Sequence, residues 1–443
     1  MQLTIIGTGY VGLVSGVCLA TKGHHVSCVD INADKIKALN EGQVPIYEPG
    51  LAPLLADGLA SGQLTFTSQL SDVVPTADII MIAVGTPTNP DTLAPDLRYV
   101  DQVAKDLAPL LSENQVVVIK STSPVGTAKR IGKLIEQLSG MQVHVATNPE
   151  FLREGAAVDD FMHPDRIVIG AESTFAQNQL EALYAPFAAT CPILVTDLAS
   201  AEMIKYAANA FLATKIAFIN EVANLCEAVG ADVTPVAKGI GLDHRIGQAF
   251  LEAGPGFGGS CFPKDTLAMA YLGEKKQSPQ TVVEAVIKSN DARLAGLVGR
   301  IEALFEDGLA GKTIAFWGAT FKPLTDDMRD SPALVVMPAL LQKGAHCVVY
   351  DPQGKKEGMH LLPGVTWAES IYEASKAVDA ICVLTHWPEF REVDLERVAL
   401  HMHTKYFVDF RRMFPVDAIK AAGFDACVSI GVPTWMKEEV NIG

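Results

Sequence analysis

One cysteine in this chain is set in a sequence that suits a nucleophile. The run Gly258-Gly259-Ser260-Cys261-Phe262-Pro263-Lys264-Asp265 puts Cys261 behind two glycines and just ahead of Pro263, a residue that fits the first turn of a helix. A thiol at the positive end of a helix, with Lys264 beside it, is biased toward the reactive thiolate. A single cysteine is ordinarily a small core residue. Four glycines between 254 and 259, the helix start and the adjacent Lys264 and Asp265 argue for chemistry instead. Glycines also let a bulky ligand come close to the backbone. A second pair, Lys205 and Asn209, is spaced i, i+4 and so shares one face of a helix. A lysine in so apolar a stretch either stretches its amine to solvent or projects into a site.

A third group binds rather than reacts. Gly7-Thr8-Gly9-Tyr10-Val11-Gly12 follows a strand, Leu3-Thr4-Ile5-Ile6, and opens a helical run that Gly23 ends. A second strand, His25-Val26-Ser27-Cys28-Val29, then closes on Asp30. Gly7, Gly9 and Gly12 in this strand–turn–helix setting form a dinucleotide fingerprint, with the pyrophosphate on the helix N-terminus. Asp30 would accept from the adenosine ribose, which favours NAD over NADP. Lys35 could reach the ribose or a phosphate.

The elements that must hold these residues follow in order. Three apolar strands end at Gly85-Thr86-Pro87, at Lys120-Ser121-Thr122-Ser123 and at Thr147-Asn148-Pro149-Glu150. Ligands of open α/β sheets bind beyond such strand ends, where Thr86, Thr122 and Glu150 fall. Each of these taken singly is more often a cap or turn residue. Residues 200–229 contain neither glycine nor proline and read as one long, largely buried helix, a domain-spanning or dimer-forming spine. Helical character continues to about Arg300. At Lys312-Thr313-Ile314-Ala315-Phe316-Trp317-Gly318 an α/β pattern restarts, without the glycine fingerprint. Its first loop carries Phe321-Lys322-Pro323 and Asp326-Asp327-Met328-Arg329, either a site for a different nucleotide or a surface loop. The expected architecture is α/β: two Rossmann-like doubly wound domains (1–197 and 306–443) joined by a central α-helical domain (198–305) with a long spanning helix.

The totals set the frame. A chain of 443 residues needs more than one core. A net charge of −16 argues against nucleic acid or an anionic membrane as partner. Eight cysteines lie scattered without CxxC or any metal-ligand spacing, which fits a reducing compartment and no metal. The apolar start of the chain lacks a basic n-region and is broken by Gly7, Gly9, Gly12 and Gly16, so no signal peptide is expected. With no stretch apolar enough to span a bilayer, a cytoplasmic location is expected.

Taken together, these motifs resemble the UDP-glucose/GDP-mannose dehydrogenase family nearly end to end. The resemblance is carried by the fingerprint, by Asn148-Pro149-Glu150-Phe151-Leu152-Arg153-Glu154-Gly155, by Lys205 and Asn209, by residues 258–265 and by residues 321–331. Ser260-Cys261-Phe262-Pro263-Lys264-Asp265 is similar to the form found in members acting on UDP-glucose. The resemblance implies a four-electron oxidation of UDP-glucose to UDP-glucuronate for surface polysaccharides, using two NAD and one water. Cys261 would carry thiohemiacetal and thioester intermediates, Lys205 and Asn209 would stabilise the oxyanion, and Asp265, Thr122 and Glu150 would share the acid–base and water-ordering work. NAD contacts are implied at Val11, Asp30, Lys35, Thr86, Thr122, Glu154, Lys264 and Arg329. Substrate contacts are implied at Glu150, Phe151, Leu152, Arg153 and Glu154, at Lys205 and Asn209, at Phe250, Leu251, Glu252, Ala253 and Gly254, and at Gly258 and Lys322. Arg245 would reach the substrate across a homodimer formed through the long helix.

Other readings stand beside this one. Relatives acting on GDP-mannose or a UDP-N-acetylhexosamine share most of the motifs. A two-electron hydroxyacid-type dehydrogenase would need neither Cys261 nor a third domain. A sensor of NAD and nucleotide sugar would need the binding loops but not Cys261 with Lys205 and Asn209.

Overall fold

The computed structural model describes residues 1–92 and 94–438. Two compact units emerge: Met1–Ala208 with Tyr271–Gln277, and Asn209–Ala270 with the chain from Ser278 onward.

The first unit is built on an eight-stranded sheet. Its strands are β1 (Gln2–Ile6), β2 (His25–Val29), β3 (Leu64–Thr67), β4 (Ile79–Ile82), β5 (Val116–Ile119), β6 (His144–Thr147), β7 (Ile167–Ala171) and β8 (Ile193–Thr196). They lie in the order β3-β2-β1-β4-β5-β6-β7-β8, all parallel to their neighbours except β7 against β6. The central strands are apolar at every position because helices cover both faces. Ile79 and Met81 pack into a core with Leu13 and Leu19 of the Tyr10–Thr21 helix and Leu51 and Leu55 of the Leu51–Ser61 helix. Ile80 and Ile82, pointing the other way, pack with the Arg98–Leu107 and Thr127–Ser139 helices. Each such side chain contributes roughly 1.5–3 kcal/mol when fully buried. The strand order reverses between β1 and β4, the switch point at which a doubly wound sheet opens a crevice.

The second unit repeats the plan. Its strands are β9 (Thr313–Trp317), β10 (His346–Tyr350), β11 (Thr366–Trp367), β12 (Ala380–Val383), β13 (Tyr406–Asp409), β14 (Ala426–Ser429) and β15 (Trp435–Met436). They run β11-β10-β9-β12-β13-β14-β15, with only β15 antiparallel. One face is mostly aliphatic, with Phe316 among it, and shares a core with Ile219 and Ala223, Leu297 and Ile301, and Val336 and Leu340 from three helices. The other is aromatic: the rings of Phe407, Phe390 and Phe414 stand 5.6–6.1 Å from Trp317, whose indole N–H donates to Ser375.

The stretch between the sheets in sequence is helical: Leu198–Val229, Val233–Gly241, Phe262–Lys275 and Thr281–Glu302. The architecture is therefore the α/β one expected, two Rossmann-like domains with a central helical segment and one long helix. That helix has 32 residues, about 48 Å at 1.5 Å per residue. Asp197 caps it, accepting from the Ser200 N–H at 2.9 Å. It is buried along Ala201, Ala213, Ile219 and Ala223, but Phe211, Phe218 and Leu225, one heptad apart, remain 66%, 54% and 62% exposed. Among the described residues no helix is long and apolar enough to cross a membrane, and no cluster of His, Cys, Asp and Glu could hold a metal ion.

Candidate active site

The fingerprint turn leaves β1 at Gly7, where φ is +99° and a Cβ would lie 2.7 Å from the Ala83 carbonyl oxygen, so only glycine fits. Gly9 then caps the Tyr10–Thr21 helix with no side chain of its own, and the direction of its missing Cβ opens into space. The first-turn amides are thus presented to an anion. Asp30 at the end of β2 accepts from the Thr8 amide (3.0 Å), the Thr8 hydroxyl (2.6 Å), the Asn32 amide (3.1 Å) and Lys35 (3.3 Å). Burial would raise this carboxyl, but the Thr8 and Asn32 hydrogen bonds and the Lys35 charge outweigh it and hold Asp30 below the usual carboxylate range. Thr86 donates to the Thr122 carbonyl at 2.6 Å, tying the loops after β4 and β5 together. These residues fit NAD: an amide cradle for the pyrophosphate and an ionised carboxylate beside it.

Beyond β6, Glu150 and Lys205 form an ion pair at 3.1 Å, both side chains 5% exposed or less. Glu150 also accepts from the Leu152 amide at 2.6 Å. Burial pushes its carboxyl up, yet the Lys205 charge, the Leu152 amide and the Lys120 charge together hold it below its ordinary range. Lys205 therefore does not reach for solvent; it is buried in the first unit, with its ammonium 5.3 Å from the centre of the Phe151 ring.

In the second unit, Cys261 immediately precedes the Phe262–Lys275 helix, and its carbonyl accepts the Asp265 amide at 2.9 Å, closing the first helical turn. Its Sγ lies 3.6 Å from the Ser260 hydroxyl. Seven other cysteines are buried; Cys261 is partly exposed. Asp265, 1% exposed, accepts from Asn209 at 2.6 Å and from Lys264 at 2.5 Å. The glycine loop ahead of the thiol is fixed by three side chains. Asn220 accepts the Gly254 amide (2.8 Å), Asn290 accepts the Phe257 amide (2.8 Å), and Arg293 donates to the Gly254 carbonyl (3.0 Å). Gly258 lies against residues 321–330: a Cβ there would meet the Asp330 carbonyl oxygen at 2.0 Å, and the neighbouring Gly259 amide donates to Arg329 at 2.9 Å.

Comparison with known proteins identifies the whole chain. The models of the UDP-glucose/GDP-mannose dehydrogenase family match in sequence order: its NAD binding domain over residues 1–188, its central domain over 199–292 and its UDP binding domain over 315–416. This chain belongs to the UDP-glucose/GDP-mannose dehydrogenase family. It is 47% identical to a UDP-glucose 6-dehydrogenase of Rhizobium meliloti (strain 1021), across 98% of this chain and 100% of that protein. It is 45% identical to UDP-glucose 6-dehydrogenase TuaD of Bacillus subtilis (strain 168), across 96% and 92%. Among solved structures, a UDP-glucose dehydrogenase from Pyrobaculum islandicum matches with a TM-score of 0.87 at 38% identity, covering 93% of this chain and 94% of that one. The protein is an NAD-dependent oxidoreductase of this dehydrogenase family.

In this dehydrogenase the UDP binding domain has no open fingerprint. Asp351, the counterpart of Asp30 at the end of β10, is 5% exposed and accepts from the Ala319, Thr320, Gln353 and Gly354 amides and the Trp387 indole. The loop after β9 instead carries Lys322, its ammonium 5.7 Å from the Phe321 ring centre. Arg411 is half-buried nearby, donating to the Leu384 carbonyl at 2.5 Å and the Phe321 carbonyl at 2.7 Å. Burial lowers its pKa to about 10 despite the Glu252 and Asp409 charges.

The exposed arginines named from the sequence each hold a carboxylate of their own: Arg153 with Asp160, Arg245 with Asp243, Arg329 with Asp327, all at 2.6–2.7 Å. Phe250 takes a positive φ of 64° and packs edge-on to Phe262. Leu251 is buried and Glu252 exposed. Ala253 is half-buried. Val11 and Glu154 are half-buried in the first unit.

Sequence reasoning missed Lys120, Asn220, Asn290, Arg293 and Arg411. Lys120 donates to Asn148 at 3.0 Å, and burial lowers it to about 8. A lysine closing an apolar strand was a readable signal; Asn220 and Asn290 on helices carry none until the loop they hold is known.

Proposed function

We propose that the enzyme oxidises UDP-glucose at C6 to UDP-glucuronate, with Cys261 as the covalent carrier. The observation that carries this reading is the pairing on one helix of Lys205 with Glu150 and Asn209 with Asp265, in a chain whose Cys261 opens a helix behind a glycine loop. Full-length similarity to proteins named UDP-glucose 6-dehydrogenase supports the choice of sugar.

Two NAD molecules, bound in turn, would supply the hydride acceptors for the two oxidations. Each would be held by the amides after Gly9, by Asp30 and Lys35 and by the linked loops of Thr86 and Thr122. The C6 alcohol loses a hydride and a proton to give an aldehyde. The Cys261 thiolate adds to that carbonyl, forming the C–S bond of a thiohemiacetal, so the aldehyde stays bound. Loss of a second hydride and a proton gives the thioester. Water then attacks the acyl carbon, the C–S bond breaks, and the thiolate returns. Lys205 and Asn209 stabilise the oxyanion, a donor of this kind being worth about 3 kcal/mol. Glu150, kept ionised by its neighbours, takes the proton of the attacking water. Lys322 and Arg411 serve the uridine diphosphate. A homodimer formed through Phe211, Phe218 and Leu225 is part of the same reading.

Across a panel of nucleotide sugars, UDP-glucose should give two NADH per sugar consumed. One NADH with free aldehyde would favour the two-electron alternative, and a preference for GDP-mannose would move the enzyme within its family.

A further inference from the structure

One buried carboxylate in the first unit has no part in the chemistry above. Glu48 lies between the Ala33–Asn40 and Leu51–Ser61 helices and is 7% exposed. One of its oxygens accepts from the Ala157 amide (2.7 Å) and the Val158 amide (3.3 Å). The other accepts from the Gly155 amide (2.6 Å) and from the Tyr10 hydroxyl. The Tyr10 hydroxyl in turn accepts from the same Gly155 amide at 2.8 Å.

These partners join two functional segments. Tyr10 is the first residue of the fingerprint helix, and Gly155 ends the segment that begins at Glu150. That segment has no helix or strand of its own, so its conformation depends on its anchors. At one end Glu150 holds Lys205 and the Leu152 amide. At the other, Glu48 and Tyr10 hold Gly155 and the two amides of the next helix, Ala157–Met162. A buried carboxylate is costly unless its oxygens are satisfied, and satisfied in this way it is a rigid fixture.

We propose that Glu48 is a positioning residue for the reaction: with Tyr10, it ties the Glu150 segment to the first turn of the dinucleotide helix and so fixes the base in register with the cofactor site. The proposal rests on the reading of Glu150 as the base of thioester hydrolysis.

The test compares Glu48→Gln and Tyr10→Phe with Glu150→Gln by stopped-flow NADH formation from UDP-glucose, alongside thermal midpoints. A charge-assisted hydrogen bond lost at this junction should slow the steady state after the NADH burst roughly tenfold in Glu48→Gln. Tyr10→Phe loses the hydroxyl's bonds to Glu48 and to the Gly155 amide but leaves Glu48 holding all three amides, and should slow the steady state about threefold. The burst amplitude and the KM for NAD should stay near wild type in both. Unchanged steady-state rates in both variants, with Glu150→Gln impaired, would overturn this proposal alone. So would a smaller burst, a raised KM for NAD and a lowered thermal midpoint found together, the mark of general loosening. Full turnover in Glu150→Gln would overturn the parent reading first. Tyr10→Phe carries the test if Glu48→Gln does not fold.

Discussion

Burial alone would push the Glu150 carboxyl up. The Lys205 charge, the Leu152 amide and the Lys120 charge reverse that outcome, and the cost of removing either ammonium is the measure of the arrangement. Lys120→Met takes away one of the cations that lower Glu150, so desolvation should push its carboxyl up and move the acid limb of kcat/KM to higher pH. A pH–rate profile checks this; an unmoved limb would mean that the Lys120 charge does not act on Glu150. In the wild type the depressed Glu150 contributes stability above the usual carboxylate range and loses it as pH falls through its own lowered value. Cys261, Lys205 and Asn209 were legible in the sequence because their residue types are rare in such surroundings. Asp265 was legible only as a neighbour of Cys261: that its two oxygens are taken by Asn209 and Lys264 depends on a contact from a helix far away in sequence.

At the scale of elements, loops are set by the side chains that cap and clamp them. Gly258→Ala drives a Cβ into the Asp330 carbonyl oxygen, a backbone atom that cannot turn aside as a side chain would. The expected result is a loss of about 1–3 kcal/mol in urea unfolding with activity falling further than stability, since the Cys261 loop must shift. A second element prediction concerns Glu202 on the long helix, which accepts the Gly126 and Ala128 amides at the start of the Thr127–Ser139 helix, next to the Thr122 loop. Burial raises its carboxyl to about 7, with the two amides opposing. A raised carboxyl contributes its stability in full below the usual carboxylate range and loses it as pH climbs through about 7. Glu202→Gln cannot ionise, so unfolding midpoints should show the variant gaining on the wild type between pH 5 and 7.5; a constant difference would contradict this. Strands such as Ile79–Ile82 and the glycine-free long helix were readable because composition and length leave few alternatives. Short β3 and β8 were not, since Thr65, Thr67 and Thr196 dilute the apolar signal and register against β2 and β7 decides them.

On the scale of the molecule, two sheets of one topology do different work because one loop is open and the other filled. Asp30 keeps some exposure, whereas Asp351 is consumed by its own backbone. The sequence left the loop at 321–331 undecided between nucleotide site and surface; spacing says nothing of what Asp351 will bind. The exposed Phe211, Phe218 and Leu225 stripe makes its own prediction. Phe218→Glu puts a charge in the proposed interface and should yield monomers in sedimentation velocity, with lower activity. A wild type already monomeric, or a variant still dimeric, would argue against that interface.

The proposed four-electron oxidation requires a covalent bond between Cys261 and the substrate. Intact-protein mass spectrometry of enzyme quenched during turnover of UDP-glucose with NAD should show a nucleotide-sugar acyl adduct that maps to Cys261 and is released by hydroxylamine. Continued NADH formation with no adduct at any quench time, and undiminished turnover in Cys261→Ala, would contradict it.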